Sequence, residues 1–321
     1  MITGEKTTNI EDLYDEVLFQ ILRFLDGPAL ATTSCTAPRF QKIATNHDLW
    51  QQLCLSSFPS LRQSSLLLLQ LNSNYQSFFS NVYPFSVPNP EPIVSDDAVQ
   101  KPIGIFCAID IHHKDDLIFS KLVEINLRSQ SQFQWFLSSP FHIDVYNQLK
   151  QDEREHAPIN PISPEELTLS WIVIVRPTSS IRAANLSSRR PVSINKNPYT
   201  EETNIQFATV IGDYIASAMV TYCSETMQLL EVSLNMKGQD GAWLNGKDTL
   251  VAMRMASEGE RIGNWKEENV VVKVMERYWE YEKIKKEKME KRVRIEWTVD
   301  MLLILASVFI FFGFTAHVSY T

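Results

Sequence analysis

Glycine is scarce in this chain. Ten glycines occur among 321 residues, none spaced as Gly-x-Gly, which excludes the turns that cradle phosphates in nucleotide-binding folds. The four cysteines, Cys35, Cys54, Cys107 and Cys223, lie far apart. Neither a disulfide framework nor a cysteine zinc site is expected, and buried reduced thiols are. The six histidines, His47, His112, His113, His142, His156 and His317, form neither His-x-x-x-His nor His-Glu-x-x-His, so no zinc-hydrolase pattern is present. No Gly-x-Ser-x-Gly elbow marks a nucleophilic serine. Positive charge is in deficit: Lys plus Arg total 30 against 38 Asp plus Glu, a net charge of −8. That balance does not suit a grip on nucleic-acid phosphates. No cofactor, metal, nucleic acid or catalytic residue is expected.

What is present is ordinary globular composition, 44% hydrophobic and 21% charged, over a length of roughly two domains. From Met301 to Ala316 every residue is apolar or small. Extended to Trp297 and Val318, the segment makes a helix of about 33 Å, the thickness of a bilayer's hydrocarbon layer. Asp300 falls at its edge, where a carboxylate costs less than at the centre. Upstream lie Lys283, Lys285, Lys286, Lys288, Lys291, Arg292 and Arg294. Basic flanks stay cytosolic and suit an anionic leaflet, so a single-pass C-terminal anchor with its body in the cytosol is expected. Residues 283–296 carry +4, which leaves −12 on the rest of the chain. Pairs such as Glu282–Lys286 and Glu290–Arg294 would support the same stretch as a solvated helix.

The middle of the chain changes period. Pro84, Pro88, Pro90 and Pro92 crowd together and read as a linker. Beyond them Ile103–Ile111 and Leu117–Ile125 flank His112–Asp116, a hairpin with a five-residue loop. Further strands are expected at Phe133–Phe136, Leu167–Val175, Ile205–Ile211, Tyr214–Tyr222, Gln228–Asn235 and Thr249–Met255. Gly238–Gly241 and Asn245-Gly246 read as turns. Eight strands with few helical patterns between them predict an antiparallel, sandwich-like sheet region. Trp135, Trp171, Trp243 and Trp265 are read as core, although an aromatic platform for a peptide or sugar is the alternative. Asp110, Asp115, Asp116, Glu165 and Glu166 are read as turn and cap residues, and Arg176, Arg182, Arg189 and Arg190 as a solvated loop.

Residues 10–60 form a compact helical unit. Val17, Leu18, Ile21, Leu22 and Leu25 trace an apolar helix face, capped by Asp12 or Asp15. Asp26-Gly27-Pro28 ends that helix and starts the next, and Asn46-His47-Asp48 caps a helix carrying Leu49, Trp50, Leu53 and Cys54. In order come Leu13, Glu16-Val17-Leu18, Ile21-Leu22, Leu25, Leu30, Ser34-Cys35, Arg39-Phe40 and Asp48-Leu49-Trp50. This run resembles an F-box. The family's proline after the first leucine is Tyr14 here. The wider layout is similar to plant-type F-box proteins with a β-rich C-terminal domain.

The resemblance implies a non-catalytic substrate receptor of an SCF-type ubiquitin ligase. A Skp-family adaptor would bind Leu13, Tyr14, Glu16, Val17, Leu18, Ile21, Leu22, Leu25, Leu30, Phe40, Leu49 and Trp50. Cullin and RING subunits would follow through that adaptor, and the β-rich domain would recruit an unknown protein target. The expected layout is α+β: an F-box over 10–55, a helical and Pro-rich linker over 56–100, a β-rich recognition domain over 101–264, a charged juxtamembrane helix over 265–296 and a transmembrane helix over 297–318. Two alternatives are a membrane-anchored F-box scaffold acting outside a ligase, and an enzyme or carbohydrate binder in the β domain.

Overall fold

The computed structural model describes residues 10, 13–71, 74–87, 102–147, 163–176, 182–226, 228–264 and 267–320. The chain opens with four short helices, α1 (Asp15–Leu22), α2 (Gly27–Ser34), α3 (Pro38–Ala44) and α4 (His47–Ser57). A 3-10 turn over Pro59–Gln63, α5 (Ser65–Leu71) and α6 (Tyr75–Val82) complete a helical module. The caps follow side-chain chemistry. Asp26 accepts from the Ala29 N–H at 2.9 Å, and Asn46 from the Asp48 N–H at 2.8 Å, each satisfying an orphan donor of a first turn. The entry to α1 differs from expectation. Tyr14 holds the cap position with no side-chain bond, and Asp15 is instead gripped by Arg39 of α3 at 2.7 Å. Arg39 also donates to the Leu13 carbonyl, so one guanidinium fixes the turn that leads into α1.

Two antiparallel sheets follow. The strands are β1 (Pro84–Val87), β2 (Gly104–His113), β3 (Asp116–Asn126), β4 (His142–Asn147), β5 (Leu167–Arg176), β6 (Arg182–Asn185), β7 (Ser193–Lys196), β8 (Glu202–Ile211), β9 (Tyr214–Cys223), β10 (Leu229–Gly238) and β11 (Glu260–Asn264). Five of them form a sheet in the order β4-β10-β9-β8-β7, four form β3-β2-β5-β6, and β1 pairs with β11. The two larger sheets enclose one core. Ile105, Ile109, Trp171 and Val173 from one face Phe207, Val220 and Leu234 from the other. Sequence and structure therefore agree on an α+β sandwich preceded by helices.

Local readings differ in three places. Phe133–Phe136 lies in a helix, α7 (Gln130–Ser138), because Ser129 and Gln132 close a reciprocal capping box that stabilises a first turn. Thr249–Met255 lies in α8 (Gly246–Glu258), whose cap Asn245 accepts from the Asp248 N–H at 2.9 Å. The Asn-Gly pair read as a turn is thus a helix start. Gly246 is needed there because a Cβ would sit 2.1 Å from the Phe136 carbonyl oxygen. Finally, the β2–β3 hairpin turns on Lys114-Asp115 alone, with Lys114 at φ 59°, so the pairing extends to His113↔Asp116. Pro84 starts β1, a position where its missing N–H is tolerated. Pro88, Pro90 and Pro92 lie outside the described residues.

Elements pack on the outer faces of both sheets. Phe106, Ala108, Ile172, Ile174 and Ala183 join the same apolar cluster as the helical module. On the other side, α9 (Glu268–Tyr320), a single helix, packs Tyr278 and Tyr281 onto Ala208 and Ile215. Beyond that contact the described side chains of α9 are exposed from Lys286 onward.

Candidate adaptor-binding face

The apolar stripe of α1 divides into two. Leu18 and Leu22 point inward and are buried with Leu30, Leu49 and Trp50 in the core of the module. Trp50 further donates its Nε1–H to the Ala44 carbonyl at 2.8 Å. Leu13, Leu25 and Phe40 are half-buried against that core. Tyr14, Val17, Ile21 and Phe24 point outward, with Tyr14 79% and Phe24 90% exposed. Their spacing of three, four and three residues keeps them on one side of the helix and its first following turn. Glu16 is exposed beside them. Of the twelve residues predicted, Tyr14, Val17 and Ile21 thus present apolar surface, and Leu18, Leu22, Leu30, Leu49 and Trp50 hold the scaffold behind it.

Phe24 is absent from the predicted set. Its signal was the three-residue step from Ile21, hidden by the four-residue step to Leu25. It overhangs a cleft of about 340 Å³ lined by Leu22, Leu25, Leu30, Leu49 and Leu53. The polar wall of that cleft is Arg23, which donates from Nε to Gln52 at 2.7 Å and from Nη1 to Gln20 at 3.0 Å. Exposed large apolar side chains next to a cleft with apolar and polar walls are features of a protein-binding surface.

This face is fixed relative to the sheets. A Cβ on Gly27 would meet Phe79 of α6 at 2.1 Å, so only glycine permits α2 to sit this close. Asn185 of β6 donates to the Val82 carbonyl at 2.6 Å. The 3-10 turn supplies the strongest joint: buried Asp110 of β2 accepts from Ser60 N at 2.9 Å, Ser60 Oγ at 2.8 Å and Ser120 Oγ at 2.7 Å. Burial outweighs these bonds and pushes the Asp110 carboxyl up to about 6. Asp110 was expected in a turn or cap and is instead this joint. Gln63 pairs with the outer edge of β3, donating to the Ser120 carbonyl and accepting from the Leu122 N–H, both at 2.9 Å.

The remaining candidates do not assemble into a reactive centre. Among the described residues no group of three His, Cys, Asp or Glu side chains is placed to hold a metal ion. Arg182 meets Glu258 at 3.3 Å and Arg190 meets Glu268 at 2.7 Å, so these arginines join elements where a solvated loop was expected. His113 Nε2 lies 3.4 Å from Glu166 and accepts from the Ser163 N–H at 3.2 Å. Burial raises the thiols of Cys54 and Cys107 to about 12, which keeps them unreactive. Cys35, expected to be buried, is exposed. Trp171 is core as read, whereas Trp135 and Trp243 are exposed, the first by 72% and the second by 45%. Trp265 lies outside the described residues.

Comparison with known proteins places this geometry. A family model described as F-box-like matches residues 10–56. The chain is 34% identical over 308 residues to "Probable F-box protein At2g36090" of Arabidopsis thaliana, covering 93% of this chain and 90% of that one. It is 29% identical to "F-box protein At2g27310" of the same plant, over 94% of each. No solved structure gives a significant match. The exposed α1 stripe therefore belongs to an F-box, and the chain is a member of the F-box protein family, of the plant type.

Proposed function

We propose that the chain is a substrate-recognition subunit of an SCF-type ubiquitin ligase, anchored to a membrane. F-box proteins in general serve as non-catalytic receptors in such ligases, and the chemistry of ubiquitin transfer resides in other subunits. The observation that carries the reading is the exposed stripe of Tyr14, Val17, Ile21 and Phe24, within the segment matched by the family model. A Skp-family adaptor would cover this stripe, with Leu13, Glu16, Leu25 and Phe40 at its margin. Leu18, Leu22, Leu30, Leu49 and Trp50 would act by holding the helices in place. Cullin and RING subunits would join through the adaptor, and the β sandwich would recruit the target protein.

The anchor rests on an energetic argument. The apolar part of α9 has a mean hydropathy of 2.0 over its best eighteen residues, none of them buried in the protein. Leaving each such Leu, Ile, Val or Phe in water costs about 1.5–3 kcal/mol. A bilayer would remove that cost, and the basic residues before Trp297 support a body on the cytosolic side.

The adaptor reading is tested by capture of the full chain in detergent on a Skp-family adaptor, beside a Val17→Asp, Ile21→Asp variant. Both side chains are exposed, so the melting temperature should not move. At about 2 kcal/mol per central anchor the double variant should bind roughly a thousand-fold more weakly. No capture of the wild type, or equal capture of the variant, would refute the assignment of this face.

A further inference from the structure

The path of α9 identifies which end of the sandwich faces the apolar segment. The helix starts beside Arg190, which meets Glu268 at 2.7 Å, and crosses the five-stranded sheet at Tyr278 and Tyr281. It leaves past the turns that end β8 and β10. There burial above all, and then the carboxylates of Glu282, Asp240 and Asp213, hold the Tyr281 hydroxyl above its ordinary range. Gln239 donates to Asp213 at 2.8 Å, and Lys288 donates to the Gln239 side-chain carbonyl. From Lys288 to Trp297 the helix rises only about 14 Å. A headgroup layer occupies about 5–8 Å of that distance, so the remaining gap is within the reach of a large side chain.

An exposed tryptophan stands at this end. Trp243 follows the β10 turn and pairs with Lys237. The His142 ring lies 4.7 Å from it, and the Lys237 ammonium lies 5.7 Å from its centroid. Helix α7, which carries exposed Trp135, ends at the same place, where the Ser139 carbonyl accepts from the Gly246 N–H at 3.1 Å. Charge does not explain an attraction to lipid here, because the carboxylates of Asp144, Asp213 and Asp240 outnumber the cations of Lys237 and Lys288. What remains is the amphipathic indole, the side chain that favours the depth of lipid headgroups.

We propose that this end of the sandwich rests on the membrane, with Trp243 entering the headgroup layer of zwitterionic phospholipid and Lys237 beside the lipid phosphate. The inference rests on the reading of residues 297–318 as a membrane span. It gives the body a defined stance, with α9 and the F-box module on opposite faces of the sandwich.

The test uses the full chain in phosphatidylcholine nanodiscs with a photo-crosslinking residue at one of three positions. Trp243→benzoylphenylalanine should form a lipid adduct that mass spectrometry detects. Tyr199→benzoylphenylalanine, on the turn before β8 at the far end of that strand, should form none. Trp297→benzoylphenylalanine reports on the span itself. Adducts at 297 without any at 243, or equal adducts at 243 and 199, would overturn the stance and leave the anchor intact. No adduct at 297 would overturn the membrane reading and this inference with it.

Discussion

Strands β2 and β8 record how differently the two ends of the chain attach to the sandwich. Every residue of β2 except His112 is buried, because one face meets the opposite sheet and the other meets the F-box module. In β8 the inward residues from Thr203 to Ile211 are buried, while Glu202, Asn204, Gln206 and Val210 are half-exposed. Ala208 is the exception on that outer face, and it lies under Tyr278 and Tyr281. The N-terminal module thus seals the outer face of β2, and α9 touches its sheet along a narrow line. A wide seal makes the F-box and the sandwich one structural unit. A narrow line is enough to set the direction of a helix whose own stability comes from elsewhere.

The largest predicted effect breaks the wide seal from within. Trp50→Ala removes a buried indole and its bond to the Ala44 carbonyl, a change that typically costs about 3–5 kcal/mol. Urea unfolding followed by far-ultraviolet circular dichroism should show that loss. Because the cluster continues into Phe106 and Ile174, the sandwich should lose stability in the same transition. Two separate transitions, with only the first shifted, would show that the module and the sandwich are independent.

Asp110 gives the next effect, and its sign depends on pH. Its folded pKa of about 6 lies above the ordinary value of 3.8, so burial favours the protonated form in the folded state. The stability gained by that preference is complete below pH 4 and is lost as pH rises to about 6. A rise of about two units corresponds to on the order of 3 kcal/mol. Asp110→Asn should flatten the stability profile across this window, leaving the wild type relatively better at pH 4.5 than at pH 7. A wild-type profile with the opposite slope there would mean that the bonds from Ser60 and Ser120 outweigh desolvation.

These two residues also mark what was legible in the sequence. Trp50 belongs to a helix whose cap, length and apolar spacing are all local signals, and the F-box was readable for that reason. The β2–β3 hairpin and strands β5, β8, β9 and β10 were readable from alternation or from unbroken apolar runs. Asp110 was not, because its donor Ser60 is fifty residues away and only the packing of two elements brings them together. Helices α7 and α8 were misread for a different cause: in short stretches such as Phe133–Phe136, apolar residues two apart, here Phe133 and Trp135, mimic strand alternation unless the capping residue is weighed. The division of α1 into buried and exposed stripes also needed the neighbouring helices. Sequence shows that Val17, Leu18, Ile21 and Leu22 are apolar but not which pair the module consumes.

The smallest predicted effect probes the narrow line. The Tyr281 ring is buried, and its hydroxyl has no hydrogen-bond partner among the described residues. A buried hydroxyl without a partner costs about 1–3 kcal/mol, whereas the ring itself contributes apolar burial. Tyr281→Phe keeps the ring and removes the uncompensated group, so stability should stay level or rise by up to about 1 kcal/mol. Tyr281→Ala, by contrast, deletes the contact with Ala208 and Ile215 and should free α9 from the sheet. Hydrogen exchange at the β8 and α9 amides separates the two cases: unchanged protection is expected in the first variant and faster exchange in α9 before Lys288 in the second. If Tyr281→Phe loosened α9 as much as Tyr281→Ala does, the hydroxyl rather than the ring would be holding the helix to the sheet.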